Sequence, residues 1–171
     1  MLLWLTPLAL AEFKIGEIQP RFMGDALVLN GALELGLTPK VEEALSKGIE
    51  LPLIFELRLQ RKRLLLWDER LAIWTLRRVL QYHALSGQYL VLSGNTRDNF
   101  SSLGEALRYL GTLSELRLPL AETEILSDSE YALRLRAYLD IEALPAPLRP
   151  VAYTTPSWHL NSGWTVWNVT H

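Results

Sequence analysis

The chain contains no cysteine in its 171 residues. That absence excludes disulfide scaffolds, thiolate zinc sites, iron–sulfur clusters and cysteine nucleophiles. An excess of one charge is also missing. Lysine and arginine number 17 against 19 aspartates and glutamates, so no global basic field exists to hold nucleic acid. No apolar run reaches ~18 residues, the length a membrane-spanning helix needs. Only three histidines occur, His83, His159 and His171, and they form no H-x-x-x-H pair. No calcium-loop pattern is present. Gly94-Asn95 and Ser162-Gly163 lack the frames of phosphate-binding loops and fit turns. What remains is 49% apolar and 21% charged, a globular composition. A domain of this length buries roughly 70% of its unfolded surface, enough for one core without staples.

The first eleven residues, MLLWLTPLALA, stand apart. They carry no charge and end in Ala9-Leu10-Ala11, the small-x-small pattern of a signal-peptidase site, though no positive segment precedes them. The expectation is a signal peptide over 1–11, a mature chain from Glu12 and a periplasmic location.

Alternation dominates the rest. Phe13 and Ile15 open a strand towards Pro20. Leu27, Leu29, Leu33, Leu35 and Leu37 share one parity and predict a half-buried strand. Thr38-Pro39 has the form of a helix cap and first turn, with Val41, Ala44 and Leu45 on one face and Gly48 at the end. Ile49, Leu51, Leu53, Phe55, Leu57 and Leu59 then give the clearest strand, with Glu50, Glu56 and Arg58 expected on an exposed face. Pro52 suggests an edge strand or a local break. Residues 69–84 fit both a helical stripe of Ala72, Leu76, Val79 and His83 and a long strand interrupted by Arg78; the strand is favoured because Ser86-Gly87 turns into Tyr89–Leu92. Ser102 and Glu105 match a capping box before a helix that stops at Gly111. Leu116–Leu120 and Tyr131–Leu139 give further strands. From about residue 141 the tail carries Pro145, Pro147, Pro150 and Pro156 and is expected to be irregular. The fold class is mainly β (α+β): one antiparallel, β-sandwich-like domain over 12–171, with about seven strands and two short helices.

Two features could bind something. Arg58, Arg61, Lys62 and Arg63 form the densest basic group, with Arg77 and Arg78 on the partner strand. They serve either as a solubilising exposed face or as a docking patch for an acidic protein surface or anionic lipid head groups. Trp158, Trp164 and Trp167 lie within ten residues of one another in the tail. They form either a lid on the core or an aromatic binding site. No nucleophile elbow accompanies Ser86 or Ser93 near His83, and Glu42-Glu43 are spaced wrongly to converge. No catalytic residue, metal ligand or cofactor is therefore assigned.

Several fragments occur together in order: Trp67-Asp68, Tyr82-His83-Ala84-Leu85, Gln88–Val91, Phe100 with Ser102-Leu103, Leu110-Gly111, Arg134 and Arg136, Leu144–Arg149, and Trp158–Trp164 with Trp167. In this the chain resembles the proteobacterial family of domains of unknown function numbered 4390, over nearly its whole mature length. Leu64-Leu65-Leu66 stands where relatives carry more tryptophans. The resemblance implies a secretory leader and a gene beside a nitrogen-regulation-type sensor histidine kinase. It supplies no catalytic residues. The expected function is a periplasmic, non-enzymatic binding or accessory protein whose partner is an envelope protein such as that kinase. The alternatives are a carrier of an apolar or lipid-like ligand between sheet and tail, and an enzyme with a loop-assembled site.

Overall fold

The computed structural model describes residues 12–63, 67–121 and 129–169. The expected leader and Leu64–Leu66 lie outside the described residues. In chain order the elements are β1 (Phe13–Met23), β2 (Ala26–Leu35), α1 (Pro39–Ser46), β3 (Leu51–Arg61), β4 (Glu69–His83), β5 (Gln88–Ser93), β6 (Thr96–Phe100), α2 (Leu103–Gly111), β7 (Thr112–Pro119), β8 (Tyr131–Leu139), α3 (Arg149–Thr154) and β9 (Thr165–Val169). Three strands form one sheet, β1-β2-β7, and six form the other, β6-β5-β4-β3-β8-β9. Every pairing is antiparallel.

The alternation in the sequence follows from this layering. Phe13, Leu27, Leu29 and Leu33 from the small sheet join Leu53, Phe55, Leu57, Leu59, Leu133 and Leu135 from the large one in a single buried cluster. Where burial falls on one face of a strand it sets the register, because a one-residue slip would turn the leucines towards water; β2 over Ala26–Leu29 and β3 over Leu51–Leu57 are buried on both faces. Both expected helix caps form. Thr38 Oγ1 accepts from the Val41 N–H at 3.3 Å, and Ser102 Oγ accepts from the Glu105 N–H at 3.3 Å.

Three details of the expected architecture change. The strands number nine among the described residues, because β6 and β9 add an edge at each end of the large sheet. Pro52 marks neither an edge nor a break, since β3 lies between β4 and β8. The β8 ladder begins only at Leu53, so the missing Pro52 N–H costs no bond to β8, and its carbonyl accepts from Asp140 N at 2.9 Å. The tail is more regular than its prolines suggest. It makes three 3-10 turns and α3, then returns along β8 as β9.

Arg78, which interrupts the β4 alternation, keeps its inward parity. It donates to the carbonyls of Leu110 and Thr112 at the C-terminal end of α2, and its guanidinium lies 5.2 Å from the Phe55 ring centre. A cation is favoured where helix carbonyls have no intrahelical partner. Burial pulls its pKa down from the ordinary arginine value.

Candidate functional site

The tail tryptophans do not form one cluster. Trp158 is buried, only 2% exposed, and joins Leu144, Ala152 and Leu160 in closing one end of the core. Trp167 pairs with Leu133 and packs against the same core from β9. Trp164 sits one residue before β9, on the opposite parity, and lies over the outer face of the large sheet.

That face is built from the side chains that β3 and β8 turn away from the core. In the ladder Glu56 pairs with Arg136 and Arg58 with Arg134. Three guanidinium groups surround the Trp164 ring: Arg58 at 4.5 Å, Arg136 at 4.7 Å and Arg134 at 5.4 Å from its centre. Glu56 lies beneath. It accepts from Arg58 Nε at 2.8 Å and from Arg136 Nε and Nη2 at 2.9 and 2.6 Å. The expectation that Glu56 is exposed is therefore wrong, and Arg58 is only half-buried rather than free. Period-2 alternation assigns a side chain to a face but does not tell what covers that face. Here Arg58 and Arg136 cover the carboxylate, and the indole lies against both guanidinium groups.

The charges do not balance. Three guanidinium groups meet one carboxylate, and Arg134 Nε is buried with no hydrogen-bond partner. Across the same row Arg58 pairs with Ile73 on β4, and Arg134 pairs with Val166 on β9. Ile73 and Val166 are 48% and 51% exposed. A cationic, aromatic strip with apolar shoulders thus faces solvent across four strands. Tryptophan holds cations through its ring quadrupole, and arginine stacks there while keeping its planar donors available to carboxylates or phosphates.

Glu56 explains the stability of the strip. Burial alone pushes its pKa up, but hydrogen bonds and charge from Arg136 and Arg58 outweigh that and hold it below the ordinary carboxylate value. A carboxylate whose pKa is lowered on folding contributes stability above its unfolded pKa, ~4.3, and loses it as pH falls through the folded value. The side chains of Glu56, Arg58 and Arg136 are 11%, 31% and 30% exposed, which places the group between surface and core. Glu56→Gln is expected to cost about 2–3 kcal/mol at pH 7, less than for a fully buried pair. Urea melts at pH 7 and below pH 4 should show this difference shrinking as the wild type loses its carboxylate.

The rest of the sequence-predicted basic group lies elsewhere. Arg61 and Arg63 share the Glu69 carboxylate at the end of the β3–β4 hairpin, where the ladder shifts after Leu59. They do not join Arg58. Arg77 is exposed on the outer face, beside Ile54. Arg134 and Arg136, which complete the strip, were not singled out as a site. Their parity in β8 was legible, but the neighbour that makes them a site was not.

His83 Nδ1 lies 2.9 Å from Ser86 Oγ in an exposed turn, and His159 Nε2 lies 3.0 Å from the Tyr153 carbonyl oxygen. Among the described residues no three potential metal ligands gather, and no helix is long and apolar enough to cross a membrane. The cleft between tail and sheet, about 450 Å³, is lined in part by Glu50, Pro52, Arg77, Leu144 and Arg149. Its lining mixes Glu50, Arg77 and Arg149 with the apolar Ile49, Ala143 and Leu144.

The family model described as Domain of unknown function (DUF4390) matches residues 11–168. The chain belongs to the DUF4390 family. No curated protein and no solved structure matches it. The match takes in both sheets and the tail, so the arginine–tryptophan strip lies wholly inside the DUF4390 region.

Proposed function

We propose that this DUF4390 chain is an exported, non-enzymatic binding protein that captures an acidic segment of an envelope protein on the outer face of its large sheet. The observation that carries this reading is the cluster of Arg58, Arg134 and Arg136 around Trp164, which the single carboxylate of Glu56 neutralises only in part. Its buried Arg134 Nε has no partner, and Ile73 and Val166 form apolar shoulders. Guanidinium–carboxylate pairs give charge-assisted, geometrically selective bonds, and a desolvated indole is a favoured hot-spot residue. The apolar leader ending at Ala9-Leu10-Ala11 supports export to the periplasm. The gene neighbourhood that the resemblance implies would make a sensor histidine kinase the first partner to test.

A labelled oligoglutamate peptide serves as the probe. Binding should weaken as salt rises, and a lysine peptide should not bind. Arg134→Gln should weaken binding about tenfold, the loss of one charge-assisted contact, with the melt nearly unchanged because Arg134 holds no carboxylate. Salt-insensitive binding, or equal binding by the variant, would overturn the site. For location, the purified envelope form should begin at Glu12. An intact Met1 on a cytosolic protein would overturn export.

A further inference from the structure

β6 ends the large sheet beyond β5, and among the described residues no further strand pairs with it. The two-residue turn Gly94-Asn95 closes on the pair Ser93↔Thr96. Backbone bonds in an antiparallel ladder alternate from such a closing pair. Thr96, Asp98 and Phe100 therefore bond to β5, while Arg97 and Asn99 turn their N–H and C=O groups outwards. Both residues are exposed, and no loop or cap among the described residues bonds to their backbones. α2 lies against the inner face of this edge. The rings of Phe100 and Tyr109 are 4.9 Å apart, and with Ser101, Glu105 and Arg108 they line an open cleft of about 660 Å³. The carboxylates here are already engaged. Asp98 accepts from the Tyr109 hydroxyl at 2.8 Å, and Glu105 accepts from Ser101 Oγ at 2.8 Å. Arg97 and Arg108 have no side-chain partner among the described residues. On the outer face Arg97 stands beside Leu92, with no carboxylate opposite it.

From this juxtaposition we infer that β6 takes up an extended segment of another protein as an added antiparallel strand, with an aromatic side chain in the Phe100–Tyr109 cleft and an acidic one beside Arg97. Main-chain bonds to a sheet edge supply affinity, and side chains entering alternate pockets supply selectivity. Phe100 and Arg97 lie three residues apart on opposite faces of β6. In an antiparallel partner the aromatic residue therefore stands three positions before the acidic one. The two rings of the cleft offer edge and face to a third, and the unpaired Arg108 guanidinium is placed to lie over it. A charge on an edge strand repels chance pairing, and here it selects a strand of opposite charge. A second copy of this chain fits worse. Antiparallel self-pairing along the whole of β6 sets Asp98 against Asp98, and like charges directly opposite are destabilising. The edge is separate from the arginine–tryptophan strip, so the two sites can be occupied independently.

Fluorescence anisotropy with the full chain tests the inference. The probe is an end-capped, labelled peptide of threonine and valine that carries one phenylalanine and, three positions later, one glutamate. It should bind, and the Arg97 and Asn99 amides should gain protection from hydrogen exchange. Asn99→Pro removes one outward N–H and leaves the β5 ladder intact, so it should weaken binding about tenfold with little change in the melt. Arg97→Glu should also weaken binding about tenfold, and a peptide with lysine in place of glutamate should recover it. That charge exchange decides the matter even if the proline variant proves unstable. Absence of binding at low salt, failure of the lysine peptide to recover Arg97→Glu, or equal binding of a peptide with phenylalanine and glutamate adjacent would overturn the inference. Equally tight binding of N-acetylphenylalaninamide would overturn strand addition and leave a cleft for a small aromatic molecule. Loss of binding through Arg134→Gln but not Arg97→Glu would also overturn it and would move the peptide to the arginine–tryptophan strip.

Discussion

Trp158→Ala is expected to destabilise the chain by about 3–5 kcal/mol, the cost of truncating a large aromatic in a closed core. Trp158 is only 2% exposed and packs in the cluster that holds Leu144, Ala152 and Leu160. Its Nε1 has no hydrogen-bond partner, so the loss is one of packing alone. Around this residue the tail is tied down by backbone bonds, Leu139 N to Leu160 O at 2.9 Å and Ser162 N to Ala137 O at 2.9 Å. Thr38 Oγ1 adds a bond to the Ser157 carbonyl at 2.8 Å and joins α1 to the tail. The cavity should therefore collapse poorly, and the thermal midpoint should fall by roughly 10 °C. Trp164→Ala offers the contrast, because Trp164 lies on the outer face. It should cost clearly less stability while changing the behaviour of the arginine strip. Equal losses at the two positions in urea melts would show that the tail is not divided between lid and surface.

Gly111→Ala is the second large expected effect, about 3 kcal/mol, at the upper end for overpacking. Gly111 ends α2 and is buried, and an added Cβ would fall far inside van der Waals contact with the Leu33 carbonyl oxygen of β2. Backbone cannot rotate away as a side-chain end can. Either α2 must lift off β2 or the Leu33 region must shift, and both alter the core beneath. Gly104→Ala in the same helix meets no atom within 4 Å and is the matched control, expected to be neutral or slightly stabilising. Chemical-denaturation midpoints of the two variants should therefore move apart. Similar midpoints would refute the close helix–strand approach.

Local pattern alone settles which side chains share a face and where the first two helices start, though not α3 in the tail. Leu51, Leu53, Phe55, Leu57 and Leu59 are buried as their period demands, because successive strand residues point to opposite faces. Thr38 and Ser102 cap helices because each offers an oxygen to a free first-turn N–H. Those relations are local and need only a few neighbouring residues. The tertiary structure decided what meets each face. Glu56 and Arg136 are 80 residues apart in the chain, and only the pairing of β3 with β8 makes them an ion pair. Three tryptophans within one short stretch were separated into lid, edge strand and outer face by where the tail reverses. The basic run around residue 60 was likewise divided, Arg58 going to the indole and Arg61 and Arg63 to Glu69. The physical reason is the same in each case. Periodicity fixes direction along one strand, while charge pairing and burial depend on which distant strand lies alongside, a choice that only the packed core settles.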